Sequence, residues 1–263
     1  MRFWLSLVFI LTSPAAWAFD IPTGLNQSDR REITRTLGMN SGTKMLDNPY
    51  PLGGFSGFEV GLSAEFIDIR DITHLGCAIG SAGCRNTSAT DESEWRYSRI
   101  TIGKGLFKDF DLFVHFMPSL AGVRISDFGA DLRWSFYQAA FLPINMALVT
   151  YFDHLNFRDE FTNQNLGADV IVGVNVENFS LYFGGGYIQS DGTFVGVDGN
   201  GNCNGTCTVD PATIPANAHS VTERLNATHT VVGLNMEYSN LFAAAEVDRY
   251  QDAVYSLKLG LRF

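Results

Sequence analysis

The chain has 263 residues and a formal net charge of −10 at pH 7; 46% of it is hydrophobic and only 17% charged. That acidity argues against a nucleic-acid partner, whose phosphates call for a basic surface. The 26 glycines and 13% aromatic residues, set against 8 prolines, suit a strand-rich chain that meets lipid on one side rather than a cytosolic enzyme.

In chain order, residues 1–18 read as a secretory signal peptide. Arg2 supplies the positive start, Phe3 to Leu11 is almost wholly apolar, and Ala16-Trp17-Ala18 is a small-x-small site with cleavage expected after Ala18. The apolar run is too short to span a bilayer comfortably. No cysteine follows the cleavage site, so no lipid attachment is expected there.

Residues 19–54 form an extension with no alternation. Asn26 or Ser28 is placed to cap a short helix running to about Leu37, with Gly38 expected to end it. The stretch NPYPLGG then reads as an extended turn into the first strand. Such an extension either sits in the periplasm or folds into the lumen of a barrel as a plug.

From 55 to 263 the chain alternates. GFEVGLSAEF places Phe58, Val60, Leu62, Ala64 and Phe66 on one face and Glu59, Gly61, Ser63 and Glu65 on the other. Period two over such lengths means strand, with one apolar and one polar face. Ten segments follow this rule: about 55–70, 94–106, 109–120, 123–138, 141–153, 164–177, 178–190, 225–238, 240–249 and 251–263. Two break phase. Trp95 and Tyr97 do not share a parity with Ile100 and Ile102, and Val123 and Ile125 precede Phe128 out of step. A bulge or a displaced boundary is expected at each. Tight turns are expected after strands two, four, six and eight, at Phe107-Lys108, Ala139-Ala140, Glu177-Asn178 and Ser239-Asn240. Longer loops are expected after strands one, five and seven, at about 71–93, 154–163 and 191–224.

Short turns at one end, long loops at the other and one apolar face describe a transmembrane antiparallel barrel. In lipid every backbone group must be paired, so the sheet has to close. The final segment, AVYSLKLGLRF, alternates to its last residue, with Tyr255, Leu257, Leu259, Leu261 and Phe263 on one face. It resembles the C-terminal strand of bacterial outer-membrane β-barrel proteins. The resemblance implies an all-β fold of about ten strands after a short N-terminal helical segment, export through the periplasm, and residence in the outer membrane. It implies contact with outer-membrane lipid and lipopolysaccharide, handling by periplasmic chaperones, and reading of those five residues as an assembly signal by the barrel-assembly machinery. It identifies a class rather than a family, and leaves the oligomeric state open.

The expected lumen-lining residues are Glu59, Glu65, Asp131, Arg133, Asp169, Glu177, Glu237, Glu246, Lys258 and Arg262, with Asn175, His229, Asn235 and Asp248 beside them. Such charges serve either as an ion-pair network that fills the barrel or as a constriction that selects solutes. The leading functional expectation is a narrow pore or transport protein for small solutes. The alternative is a sealed structural or surface-interaction barrel acting through its outer loops. A rim enzyme is disfavoured: Asp153 and His154 are adjacent and so face opposite ways, with Asp127 and Asp191 at other rims, and no GxSxG occurs. No cofactor is expected. Cys77/Cys84 and Cys203/Cys207 read as two local disulfides of an exported protein, in preference to a metal site at CNGTC. Aromatic residues at strand ends, among them Trp95, Tyr97, Phe107, Trp134, Phe136, Tyr151, Phe152, Tyr238 and Phe263, are expected to form interfacial girdles.

Overall fold

The computed structural model describes residues 20–76, 93–118, 124–196, 208–210 and 219–263. The expected leader at 1–18 and all four cysteines, Cys77, Cys84, Cys203 and Cys207, lie outside the described residues. Ten strands follow one another around a closed antiparallel barrel. They are β1 (Phe58–Asp68), β2 (Glu94–Gly105), β3 (Phe110–Phe116), β4 (Ile125–Gln138), β5 (Ile144–Phe157), β6 (Phe161–Val176), β7 (Phe179–Val195), β8 (Ser220–Tyr238), β9 (Leu241–Arg249) and β10 (Ala253–Arg262). β10 closes on β1 in continuous register, from Glu59 opposite Arg262 to Phe66 opposite Tyr255. Phe58 and Phe263 complete the seam with backbone hydrogen bonds of 3.0 and 2.8 Å.

Alternation in the sequence becomes alternation across the wall. On β8, Val231, Gly233 and Asn235 face in while Val232, Leu234 and Met236 are exposed outside. Four inward glycines are covered by an aromatic ring from the residue directly opposite: Gly103 by Phe113, Gly167 by Tyr151, Gly233 by Tyr182 and Gly260 by Phe242. A ring laid over a glycine fills the gap left by the missing side chain and pins the register of both strands.

One end of the barrel carries tight connections at 106–109, 139–143, 177–178 and 239–240. Lys108, Glu177 and Ser239 take the left-handed conformation there, at φ 58°, 53° and 57°. Long connections at 69–93 and 196–219 leave the opposite end. The loop expected at 154–163 is absent. β5 and β6 run on to Phe157 and from Phe161, joined by a turn in which Arg158 and Asp159 are left-handed. Polar side chains at Asn156 and Thr162 suggest a loop, but the outward row of β5 runs unbroken from Ile144, Met146 and Leu148 to His154 and Asn156, so the strand continues with a polar outer face.

The two phase breaks also resolve differently. β2 pairs with β1 without a register shift. Trp95 and Tyr97 share the inward parity of Arg99 and Thr101, and all four are buried. Ile125 likewise faces in, above Asp127 and Asp131. The irregularity in β4 lies lower, between Trp134 and Tyr137. The cause of the apparent breaks is an apolar layer inside the loop end. Trp95 stacks on Tyr97 at 4.5 Å and meets the edge of Phe157 at 5.7 Å. Trp95, Tyr97 and Tyr151 are therefore interior residues and not girdle residues, whereas Phe107, Trp134, Phe136, Phe152, Tyr238 and Phe263 are exposed.

The residues before β1 occupy that interior. Asn26 caps helix α1 (Gln27–Ile33), accepting from Asp29 N at 3.1 Å while the Asp29 carboxylate accepts from Asn26 N at 3.2 Å. Gly38 does not end the helix; the chain continues through it as a π-helical stretch, Thr34–Met39. A side chain at 38 would strike the Asn163 amide and the Ser190 hydroxyl on the wall. Glycine is thus set here by close approach rather than by helix termination. Ile21, Leu25, Ile33 and Leu37 pack against Ile67, Trp95, Phe157, Phe161 and Phe194 to form a dry core across the loop end.

Candidate functional site

Below the apolar layer the interior is polar, and it is built from the N-terminal segment and the wall together. At mid-height Arg99 (β2) donates to Glu65 (β1) at 3.0 Å, to Asp127 (β4), and to the carbonyl oxygen of Ser41 on the segment. Asp153 (β5) receives Thr43 N at 2.9 Å and Thr43 Oγ1 at 2.7 Å, and shares a 2.8 Å hydrogen bond with His115 (β3). On the opposite wall His229 (β8) lies between Asp248 (β9) and Asp169 (β6), 2.8 Å from each. Lys44 of the segment reaches Asp248 at 3.3 Å. Glu246 (β9) accepts from Met45 N, Leu46 N and the Tyr182 hydroxyl at 3.2, 2.8 and 2.7 Å.

Toward the short-turn end the cluster crosses the closing seam. Glu59 (β1) holds Lys258 at 2.7 Å and Arg262 at 2.8 Å, both on β10. Asp47 of the segment pairs with Arg262 and, at 3.1 Å, with Arg133 (β4), which also bonds Asp131 at 2.6 Å. Ser135 donates to Pro49 O at 2.7 Å, and Leu52 N donates to Asp111 at 3.0 Å. The space enclosed by Lys44, Glu65, Arg99, His115, Asp131 and Lys258 measures about 10 Å³. That is room for roughly one water molecule.

Of the residues singled out from the sequence, Glu59, Glu65, Asp131, Arg133, Asp169, Glu246 and Lys258 are buried on the inner face. Arg262 and Glu237 pair with each other at the mouth of the short-turn end and are only half-buried. Glu177 is a correction: it sits in the left-handed position of the β6–β7 turn and is exposed, so it lines nothing. Its place at the end of an alternating run suggests inward facing, but the tight turn rotates it out of the sheet. Asp153 and His154 face opposite sides, Asp153 buried and His154 at the surface of the wall. Asp127 is buried against Arg99, and Asp191 pairs outside with Arg224 at 2.7 Å. Tyr255, Leu257, Leu259, Leu261 and Phe263 all lie on the outward face of β10.

Sequence reasoning missed Arg99, His115, Lys44 and Asp47. For Arg99 the signal was present, since it shares parity with Trp95, Tyr97, Thr101 and Gly103. Lys44 and Asp47 lie in a segment without periodicity, so nothing local marks their direction. Among the described residues no group of His, Cys, Asp and Glu is arranged to hold a metal ion, and no helix is long and apolar enough to cross a membrane.

A family model described as "Family of unknown function (DUF6588)" matches residues 96–263. Among solved structures, the chain is similar to the N-terminal β-barrel domain of Pseudomonas aeruginosa OprF. The identity is 11% and the TM-score 0.32, with 80% of this chain and 99% of that one covered. It is similar also to Ail, the attachment invasion locus protein of Yersinia pestis, at 14% identity and TM-score 0.28, covering 79% and 97%. A loop-deletion mutant of OmpT, an outer membrane protein of Vibrio cholerae, matches at 10% identity and TM-score 0.30, covering 77% and 74%. No curated protein matches in sequence.

Proposed function

The chain belongs to this family of unknown function, and we propose from its geometry that it is a bacterial outer-membrane barrel closed by its own N-terminal segment. In this reading the barrel acts through its loop end and is not an open conduit. The observation that carries it is the run of contacts from the segment to the wall at Asp153, Glu246 and Arg133, with a space of about 10 Å³ enclosed beside Lys44, Arg99 and Lys258. A passage for solutes needs a continuous wet path, and here a packed layer of buried apolar side chains lies across the loop end as well.

Membrane residence is supported by the outer surface. On β7 and β8, Leu181 faces Leu234 and Phe183 faces Val232. Higher up the pairs become Gln189 with Asn226 and Asp191 with Arg224. An apolar band that gives way to polar pairs along the same two strands matches a bilayer with strands projecting beyond it. Lipid and lipopolysaccharide are then the partners of the belt. The outward row on β10 is available to the assembly machinery before the seam closes.

Single-channel conductance of the refolded protein tests the closure, compared with a form lacking residues 20–52, with folding checked by heat-sensitive gel mobility. The full-length barrel is expected to be silent and the truncated one to conduct. Steady conductance by the full-length form would return the protein to the solute-pore reading.

A further inference from the structure

The segment runs through the barrel in one direction only. Asp20 pairs with Arg158 in the β5–β6 turn, at the loop end. Leu25 bridges to Val209 in the long β7–β8 connection, with Leu25 N donating to Thr208 O at 2.9 Å. Arg30 then meets Glu223 near the top of β8 at 2.9 Å, Thr43 meets Asp153, and Leu52 meets Asp111 low on β3. Gly105 N closes the descent on Gly57 O at 3.0 Å, beside the short turns, where β1 begins its climb. Phe263 also lies at the short-turn end, paired with Phe58. The described chain therefore starts at one end of a closed ring and finishes at the other.

We infer that residues 20–57 cross the outer membrane inside the barrel, so that Asp20 is displayed at the cell surface while Phe263 lies on the periplasmic side. This rests on the outer-membrane reading above, with the long loops outside. The physical ground is the order of the segment's wall partners among the described residues. From Asp20 at the loop end to Leu52 near the short turns, the wall partners descend through Glu223, Asp153 and Asp111. The segment fills the ring, and its Asp47 is bonded to Arg262 on β10, so the segment and the β1–β10 seam share one charged cluster.

The test is an epitope inserted between Phe19 and Asp20 in the full-length protein, probed with antibody on intact and on permeabilised cells. Reference epitopes go at Asp159, in the loop-end turn, and at Leu142, in a short turn at the other end. Heat-sensitive mobility confirms folding of each. The expected result is equal signal from the N-terminal and Asp159 epitopes on intact cells, and signal from Leu142 only after permeabilisation. An N-terminal epitope that behaves like Leu142 overturns the inference while leaving the outer-membrane reading standing. An Asp159 epitope hidden on intact cells overturns the orientation itself, and the inference with it. Where the insertion blocks folding, Asp20→Cys in a chain with its four cysteines changed to serine, labelled by a membrane-impermeant maleimide, reads the same positions.

Discussion

Arg99 gathers two carboxylates and a segment carbonyl around one buried guanidinium. Arg99→Met keeps the packing of its stem but leaves Glu65 and Asp127 without their cation. Breaking a buried pair from one side costs about 3–5 kcal/mol, because the remaining charge stays desolvated. The expected outcome is a clear drop in the urea midpoint of the refolded barrel, followed by tryptophan fluorescence. A midpoint within error of the parent would mean that the cluster is hydrated and contributes little. Gly38 provides a second residue-level test. Gly38→Val drives two methyl groups into Asn163 and Ser190, and overpacking of this kind costs about 1–3 kcal/mol. Asn163→Ala in the same chain makes room and should recover part of the loss, which a purely helix-propensity effect would not allow.

At the scale of a strand, β8 passes from apolar belt to polar rim along one face. Leu234 and Val232 lie in the belt, while Asn226 and Thr222 lie above it. An outward arginine near the middle of a bilayer costs about 2–4 kcal/mol and near its edge about 0–1 kcal/mol. Leu234→Arg should therefore weaken refolding into lipid vesicles strongly, and Asn226→Arg hardly at all. Equal effects at both positions would contradict the placement of the belt. β10 carries a different expectation. The Phe263 side chain is exposed while its backbone completes the seam. Phe263→Ala should lower the yield of assembled barrel in cells and leave the stability of the refolded protein nearly unchanged. Loss in both settings would assign the ring to stability instead of to assembly.

For the whole molecule, the closed ring and the chain inside it are interdependent. The seam joins strands from opposite ends of the sequence, and Glu59 on one side holds Lys258 and Arg262 on the other. Asp47 ties the segment to the same cluster. Supplying residues 20–52 as a separate peptide to the truncated, conducting barrel should not silence it fully. The covalent link between Leu52 and Gly53 is missing in that experiment. Full block by the free peptide would show that the closed ring admits the segment without that link.

How much was legible follows from how far each signal reaches along the chain. Strand count, inward and outward faces and the tight turns all rest on backbone geometry within a few residues. Alternation in β1, β6 and β10 and the turns at Glu177-Asn178 and Ser239-Asn240 therefore sufficed for a barrel of about ten strands. Strand ends above the belt were obscured, because Asn156, Thr162 and Thr222 look like loop residues where a strand leaves lipid and can be polar on its outer face. The inward parity of Trp95 and Ile125 was obscured by the dry layer they join. The course of residues 20–52, and the long-range partners of the luminal charges, were decided only in three dimensions. Arg133 meets Asp47 across 86 residues of sequence, and Arg262 meets Glu59 across 203. A charge on a strand declares which face it occupies, because the pleat sets that locally. What it pairs with depends on which distant chain the closed ring brings against it.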